Sequence, residues 1–146
     1  GAPGRTPRRM GLTILDTGIL IGLINPNDSH HTAIAEALRA AIERGDQFVL
    51  PTSAYAELLV LPSQRGPRGI AAVDAGLERL AVRVHPVDHD VARSAALIRT
   101  THRSVKLPDS LVIATAIAVD ADLLLTTDRH WPSRTELGLR ADVIHL

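Results

Sequence analysis

The stretch TILDTGILIGLI, residues 13–24, places one carboxylate, Asp16, inside an almost wholly apolar run. Burying an unpaired carboxylate is costly, so such an acid is usually paired, hydrogen-bonded or bound to a metal ion. Three interpretations compete. Asp-Thr-Gly is the active-site triplet of aspartic proteases, the run could be the apolar core of a signal peptide, or Asp16 could end a buried strand. The rest of the chain separates them.

Composition narrows the class of protein. A chain of 146 residues predicts one domain with a real hydrophobic core. Aromatic residues are almost absent, so the core must consist of Leu, Ile, Val and Ala, as in buried parallel sheets and their covering helices. The absence of cysteine excludes disulfides, thiolate catalysis and thiolate zinc sites. A net charge of zero argues against a protein that grips long nucleic acids, but it allows a nuclease with a local basic rim.

The first residues are set apart from the rest. GAPGRTPRR, residues 1–9, is basic and rich in Pro and Gly, and we predict a disordered arm or a remnant of cloning there, followed by a single domain over residues 10–146. A signal peptide is disfavoured because Asp16 interrupts the apolar run and NPNDSHH follows it. The run is also too short to span a bilayer comfortably. We therefore expect a cytoplasmic protein without a membrane segment.

Short apolar runs alternate with helical patterns along the chain. The predicted strands are residues 12–15, 47–50, 81–87, 123–126 and 142–146. Between them we predict helices with Gly45 as a stop, Thr52 or Ser53 as a cap, Asp88 as a cap, and Pro108 in a first turn. This alternation predicts an α/β fold, a three-layer α/β/α sandwich with a mainly parallel central sheet. The aspartic protease interpretation fails, because those enzymes are almost entirely β.

Four acids fall where the strands of such a sheet end. Ligands of parallel α/β sheets bind beyond the carboxyl ends of the strands. Asp16 and Asp128 each follow a strand directly, Glu57 lies about one turn into the helix after the second strand, and Asp109 opens a later helix. Taken singly, each acid has an ordinary explanation as a helix cap, a first-turn partner of the helix dipole, a turn residue or a solvated side chain. Their joint placement predicts a shared site.

The chemistry of such a cluster points to a cation. Two carboxylates about 5 Å apart repel by roughly 3 kcal/mol at an effective dielectric constant near 20. A hard divalent ion removes that repulsion, and sites made only of oxygen ligands suit Mg²⁺ or Mn²⁺. Ions held in this way cleave phosphodiesters by lowering the pKa of a bound water and by clamping the attacking and leaving oxygens.

With these residues assembled, the chain resembles a PIN-domain ribonuclease and, within that group, a VapC-type toxin of bacterial toxin–antitoxin pairs. ILDTGILI resembles the first motif, TSAYAELL the second, and LPDSLVIATAIAVDADLLLTTD the joined third and fourth, with DRHW as the Asp-x-x-aromatic ending. Two positions depart from the pattern. Gly18 stands where Ser or Asn is also common, and Thr127 stands where many relatives carry Arg or another polar residue, although it could act as a hydrogen-bond donor.

The resemblance implies an endoribonuclease that depends on Mg²⁺ or Mn²⁺. Asp16, Asp109 and Asp128 would hold metal directly or through water, and Glu57 would orient a metal water or complete a second site. Thr17 and Thr126 would support these acids. The resemblance also implies a homodimer and a cognate antitoxin whose tail covers the acidic groove.

Other side chains are less specific. Arg103, Lys106 and Arg129 flank the predicted acids and could grip substrate phosphates, while Tyr55 and Trp131 could each stack one base. The seven histidines show no zinc-ligand spacing.

Rival functions fit less well. A receiver domain needs an acidic pair after its first strand, and a haloacid-dehalogenase phosphatase needs a second Asp where Gly18 stands. The remaining alternative is a PIN-fold RNA-processing nuclease or a catalytically silent RNA-binding module. Small size, neutral charge and the absence of added domains favour the toxin.

Overall fold

A computed structural model describes residues 11–146, and the predicted arm at residues 1–9 lies outside them. The assignment of residues 10–146 to a single domain stays a prediction. The described chain forms five strands: β1 Leu12–Leu15, β2 Gln47–Pro51, β3 Val82–His85, β4 Leu123–Thr126 and β5 Asp142–His145. The helices are α1 Thr17–Ile24, α2 His31–Glu43, α3 Thr52–Leu59, α4 Pro67–Arg79, α5 His89–Thr101, α6 Leu107–Ala118 and α7 Arg134–Leu137. A 3₁₀ turn at Pro62–Arg65 joins α3 to α4.

The sheet has the order β3-β2-β1-β4-β5, and every neighbouring pair is parallel. This confirms the predicted α/β fold with a parallel central sheet flanked by helices. The chain runs outward from β1 to β3 and then returns to the other side of β1 for β4 and β5. The connections therefore diverge between β1 and β4. In open parallel sheets, ligands bind in the crevice at such a switch point, beyond the carboxyl ends of the two strands.

The core is aliphatic, as the composition predicts. The central strands contribute fully buried side chains such as Ile14 and Leu15 from β1 and Leu124 from β4. Six of the twelve residues of α6 are buried, among them Ile113, so this helix lies deep in the fold. Because α6 begins at Leu107, packing its buried face against the sheet also fixes where Asp109, in its first turn, can lie.

Most helix boundaries agree with the sequence, and one cap does not. The Asp88 carboxylate accepts a hydrogen bond from Val91 N at the start of α5, and Pro108 lies in the first turn of α6, as predicted. The predicted cap of α3 at Thr52 or Ser53 is wrong, because Thr52 is already helical and Pro51 occupies the cap position. The Thr52 hydroxyl instead accepts a hydrogen bond from Val87 N, just beyond β3.

Strand β3 is shorter than the predicted residues 81–87. Ala81 takes a positive φ of 53° and so belongs to the preceding turn. Pro86 has no N–H to donate to a neighbouring strand, and the extended pairing ends at His85. Among residues 11–146, no helix is both long enough and apolar enough to cross a membrane.

Candidate active site

Asp16 lies at the carboxyl end of β1, beside the switch point, with only 8% of its surface exposed. Its Oδ1 accepts a hydrogen bond of 2.7 Å from Thr17 N, so it caps α1. Its Oδ2 accepts a bond of 2.8 Å from the Thr126 hydroxyl at the end of β4. Asp16 therefore caps a helix, which is the ordinary explanation for an isolated acid. Its carboxylate is also held in one orientation at the predicted site.

Burial raises the pKa of Asp16, and it outweighs the hydrogen bonds from Thr126 and Thr17, which lower it. The nearby charge of Asp128 raises the pKa further. The backbone N–H of Asp128 donates to the Thr126 hydroxyl at 3.0 Å. One buried threonine thus hydrogen-bonds to two of the predicted acids, and its supporting role in the site stays a prediction.

Glu57 reaches the same edge from α3, at the rim of the site. Partial burial raises its pKa, and the charge of Asp16 raises it further. The hydroxyl of Thr17 donates to the carbonyl of Ala54 at 3.3 Å. Thr17 therefore supports the site in two ways, because its N–H holds the Asp16 carboxylate and its hydroxyl ties α1 to the helix that carries Glu57.

Asp109 completes the cluster from the first turn of α6. Burial, and then the charge of Asp16, raise the pKa of Asp109 to about 6, and the Asp128 side chain acts in the same direction. The indole N–H of Trp131 faces this carboxyl group and lowers its pKa. That N–H is buried and falls short of a full hydrogen bond with any described residue. The sequence identified Trp131 as a motif aromatic that could stack one base, whereas its approach to Asp109 is a tertiary contact.

The four acids fit a hard divalent cation by their donor chemistry. All donors are carboxylate oxygens, and the pKa values of Asp16, Glu57 and Asp109 are raised, first by burial and then by the charge of a neighbouring acid. Within residues 11–146, no three Asp, Glu or His side chains stand close enough together to hold a metal ion. Mg²⁺ keeps several of its own waters and is bound through one or two carboxylates, so an open acidic set is compatible with it.

The predicted phosphate-binding residues flank the acids in sequence and are exposed. Arg103 and Lys106 are exposed on the segment between α5 and α6, just before Asp109, and Arg129 is exposed directly after Asp128. In the part of the chain that the structure describes, none of the three forms an ion pair. The hydroxyl of Tyr55, which the sequence proposed as a base-stacking residue, donates a hydrogen bond to Asp74 on α4.

One supporting residue was missed by the sequence. The His145 Nδ1–H donates to the Asp128 carbonyl at 2.6 Å, and the His145 ring packs edge-on against Trp131 at 6.5 Å between ring centres. The sequence gives no sign that residues 128 and 145 are close, because they meet only through the pairing of β4 with β5 in the sheet. Asp120 and Asp122 lie away from this site, and Arg140 binds both of them beside the opposite ends of the strands.

A model of the PIN domain family matches residues 13–136. The chain therefore belongs to the PIN domain family, the class that the sheet order and the acidic edge define. Among curated proteins, ribonuclease VapC19 of Mycobacterium tuberculosis is 44% identical over 55 residues, which are 35% of this chain and 44% of that protein. The matched region thus spans less than half the length of this relative.

Solved structures share the fold. A toxin–antitoxin complex from Klebsiella pneumoniae aligns with a TM-score of 0.69 and 20% identity over 90% of this chain and 95% of the other. VapBC2 from Rickettsia felis, bound to a promoter DNA fragment, aligns with a TM-score of 0.64 and 18% identity, over 91% of this chain and 98% of the other. VapC20 from Mycobacterium tuberculosis, a toxin that cleaves the sarcin-ricin loop, aligns with a TM-score of 0.60 and 22% identity, over 77% of this chain and 86% of the other. At these identities the likeness concerns the fold.

Proposed function

We propose that this protein is a metal-dependent endoribonuclease and the toxin of a toxin–antitoxin pair. The observation that carries the proposal is the convergence of Asp16, Glu57, Asp109 and Asp128 at the β1–β4 switch point, with charge–charge coupling among them. The identity shared with ribonuclease VapC19 and the fold shared with toxin–antitoxin complexes support the same assignment.

In this proposal Asp16, Asp109 and Asp128 hold Mg²⁺ or Mn²⁺, directly or through water. When bound, such an ion activates water and neutralises charge that develops on a phosphodiester. Glu57, at the rim on α3, orients the attacking water and accepts its proton, a task that its raised pKa favours. Thr126 and Thr17 keep the Asp16 carboxylate in one orientation.

The basic residues position the RNA. Arg103, Lys106 and Arg129 are exposed, lie close to Asp109 and Asp128 in sequence, and would pair with phosphates, so that a neutral protein binds RNA locally. Trp131 is buried and the Tyr55 hydroxyl donates to Asp74, so in this proposal phosphate contacts contribute more to RNA binding than base stacking does. Because the proposed substrate is cellular RNA, we place the protein in the cytoplasm.

The antitoxin is the proposed protein partner. An apolar groove of ≈ 330 Å³ runs between α1, α3 and α4, with Leu20, Leu58 and Leu77 among its walls. Arg65 and Arg79 also line this groove. An antitoxin segment with apolar residues and acidic flanks matches both the walls and the charge. Binding of the cognate antitoxin, measured by calorimetry, is expected to weaken when Ile24, an exposed residue of this groove, is changed to Asp.

A homodimer is the proposed assembly. Helices α5 and α6 pack closely on each other and leave Leu97, Leu107 and Ile117 between 43% and 68% exposed. A second copy would cover these apolar side chains. Sedimentation of the purified protein is expected to give a dimer, and Leu97→Glu is expected to give a monomer.

The function is tested by incubating purified protein with total RNA and Mg²⁺ or Mn²⁺, and then with excess chelator. Asp16→Asn serves as the inactive variant, since Asn still caps a helix, and Asp90→Asn, an exposed acid on α5, is the matched control. Discrete fragments that need metal, persist with Asp90→Asn and vanish with Asp16→Asn would support the nuclease. Equal cleavage by Asp16→Asn would indicate a contaminant, and the absence of any cleavage would favour the silent RNA-binding module.

A further inference from the structure

The first turn of α1 and the end of β4 touch at a glycine. A Cβ atom placed on Gly18 would lie 2.5 Å from the Thr127 hydroxyl oxygen, closer than real Cβ atoms approach, and 3.7 Å from Thr127 Cβ. Gly18 is helical, so its backbone does not call for glycine, and glycine is a poor residue within a helix. The requirement at position 18 is therefore space for the Thr127 hydroxyl.

The two neighbouring threonines use their hydroxyls differently. Thr126 is fully buried, and its hydroxyl donates to Asp16 and accepts from Asp128 N. Thr127 is half-exposed, and its hydroxyl has no hydrogen-bond partner within residues 11–146. This hydroxyl sits in contact with Gly18, two residues from Asp16, and belongs to the residue directly before Asp128. It is thus a free donor at the mouth of the acidic site.

The site needs such a donor. A phosphate that enters a cluster of four carboxylates is repelled by them, and the basic residues around the cluster sit on long, mobile side chains. A threonine hydroxyl donates from a short, β-branched side chain with few rotamers, so it holds one direction. Because the Thr127 hydroxyl is neutral, it leaves the charge of the metal-binding acids unchanged.

We infer that the Thr127 hydroxyl donates a hydrogen bond to a phosphate oxygen of bound RNA, and that Gly18 is required because any side chain there would displace this hydroxyl. The inference rests on the proposed ribonuclease function. It assigns Thr127 a direct substrate contact, and it makes Gly18 a positioning residue that acts through Thr127.

Binding tests the contact without relying on turnover. Affinity for a mixed-sequence pool of short labelled RNAs is measured by fluorescence anisotropy with Mn²⁺, in a Glu57→Gln background that slows cleavage and lies on a different helix from Gly18 and Thr127. Thr127→Val, which keeps the shape and removes the hydroxyl, is expected to weaken binding about tenfold, as for a hydrogen bond to a charged group. Thr127→Ser is expected to restore most of the affinity. Thr32→Val, on the exposed start of α2, is the matched control.

A stability cycle tests the steric pairing separately. Gly18→Ala is expected to lower Tm when Thr127 is present. In a Thr127→Ala background, where only a Cβ atom 3.7 Å away remains, the same change is expected to leave Tm unchanged or raise it. The double variant Gly18→Ser, Thr127→Ala is expected to recover part of the RNA affinity, because a hydroxyl then returns to the same space from the other side.

The outcomes separate this inference from the proposed function. RNA binding that is indifferent to Thr127→Val, in a protein that cleaves RNA, overturns the inference and leaves the ribonuclease standing. If Gly18→Ala changes Tm equally in the protein with Thr127 and in the Thr127→Ala variant, the steric pairing of Gly18 with Thr127 is overturned. If no variant binds RNA at all, including the one with intact Thr127, both the inference and the proposed function fail.

Discussion

The Thr126 hydroxyl donates to Asp16 Oδ2 across 110 residues of sequence, and it joins the carboxyl ends of β4 and β1 at the point where the sheet connections diverge. The same oxygen accepts from Asp128 N. This threonine therefore links two acids that lie far apart in the sequence. Its hydrogen bond also lowers the pKa of Asp16 against the larger effect of burial.

Thr126→Val is expected to destabilise the protein by about 1–3 kcal/mol, because a buried carboxylate and a backbone N–H lose their partner. The pKa of Asp16 should rise further and Mn²⁺ affinity should fall. Chemical denaturation and metal titration measure the two effects. Thr115→Val is the matched control, since Thr115 is equally buried but its hydroxyl donates only to the carbonyl of Leu111 in the same helix. Comparable loss of metal affinity in both variants would contradict the role of Thr126.

Metal affinity is expected to fall as the pH drops below about 6. The pKa of Asp109 is raised to about 6, so below this value its carboxyl binds a proton that a metal ion must displace. Mn²⁺ titrations between pH 5 and pH 8 measure the effect, which should be flat at the alkaline end. In Asp109→Asn this pH dependence should largely disappear. An affinity independent of pH across this window would count against Asp109 as a ligand.

Removing an acid is expected to stabilise the metal-free protein. The pKa of Asp109 is higher in the folded chain than in the unfolded chain, so the folded state loses stability as the pH rises from about 4 to about 6 and Asp109 becomes charged. Above that range Asp109→Asn should raise Tm in the presence of chelator, and the gain should shrink as the pH falls toward 4. Asp90→Asn, an exposed first-turn acid on α5, should not raise Tm.

The sole tryptophan reports on the site. Trp131 is buried and faces Asp109, so bound Mn²⁺, which is paramagnetic, is expected to quench its fluorescence. Chelator should reverse the quenching, and Asp16→Asn should reduce it at the same metal concentration. Trp131→Phe keeps an aromatic ring but removes the N–H, and it should weaken Mn²⁺ binding as measured by calorimetry. Quenching that persists in Asp16→Asn would place the metal elsewhere.

Two turns offer a test of backbone strain away from the site. Ala81 has a φ of 53°, a conformation that costs an L-residue about 1–2 kcal/mol, so Ala81→Gly is expected to raise the free energy of unfolding by about 1 kcal/mol. Gly45 has a φ of 78° with open space around it, so Gly45→Ala is expected to lower that free energy. Urea denaturation measures both. A loss of stability in Ala81→Gly would refute the strain.

Local patterns in the sequence were enough to predict the class of fold and to propose four acids for one site. Alternating apolar runs and helix signals define strands and helices within the chain, and an acid directly after a buried strand can lie only at the carboxyl edge of a parallel sheet. Asp16 and Asp128 were placed at this edge for that reason, and Glu57 and Asp109 were added because each lies in the first turns of a helix. The start of α3 was mispredicted because the Thr52 hydroxyl accepts from Val87 N, a partner that no local signal reveals.

What the tertiary structure decided is how the acids are held and how they affect one another. The bond from Thr126 to Asp16, the approach of Trp131 to Asp109, and the contact of Thr127 with Gly18 join segments far apart in sequence. Such contacts depend on the order of strands in the sheet, and the order β3-β2-β1-β4-β5 follows from packing the whole chain. The raised pKa values have the same origin, because burial and neighbouring charge exist only once the sheet and its helices are assembled.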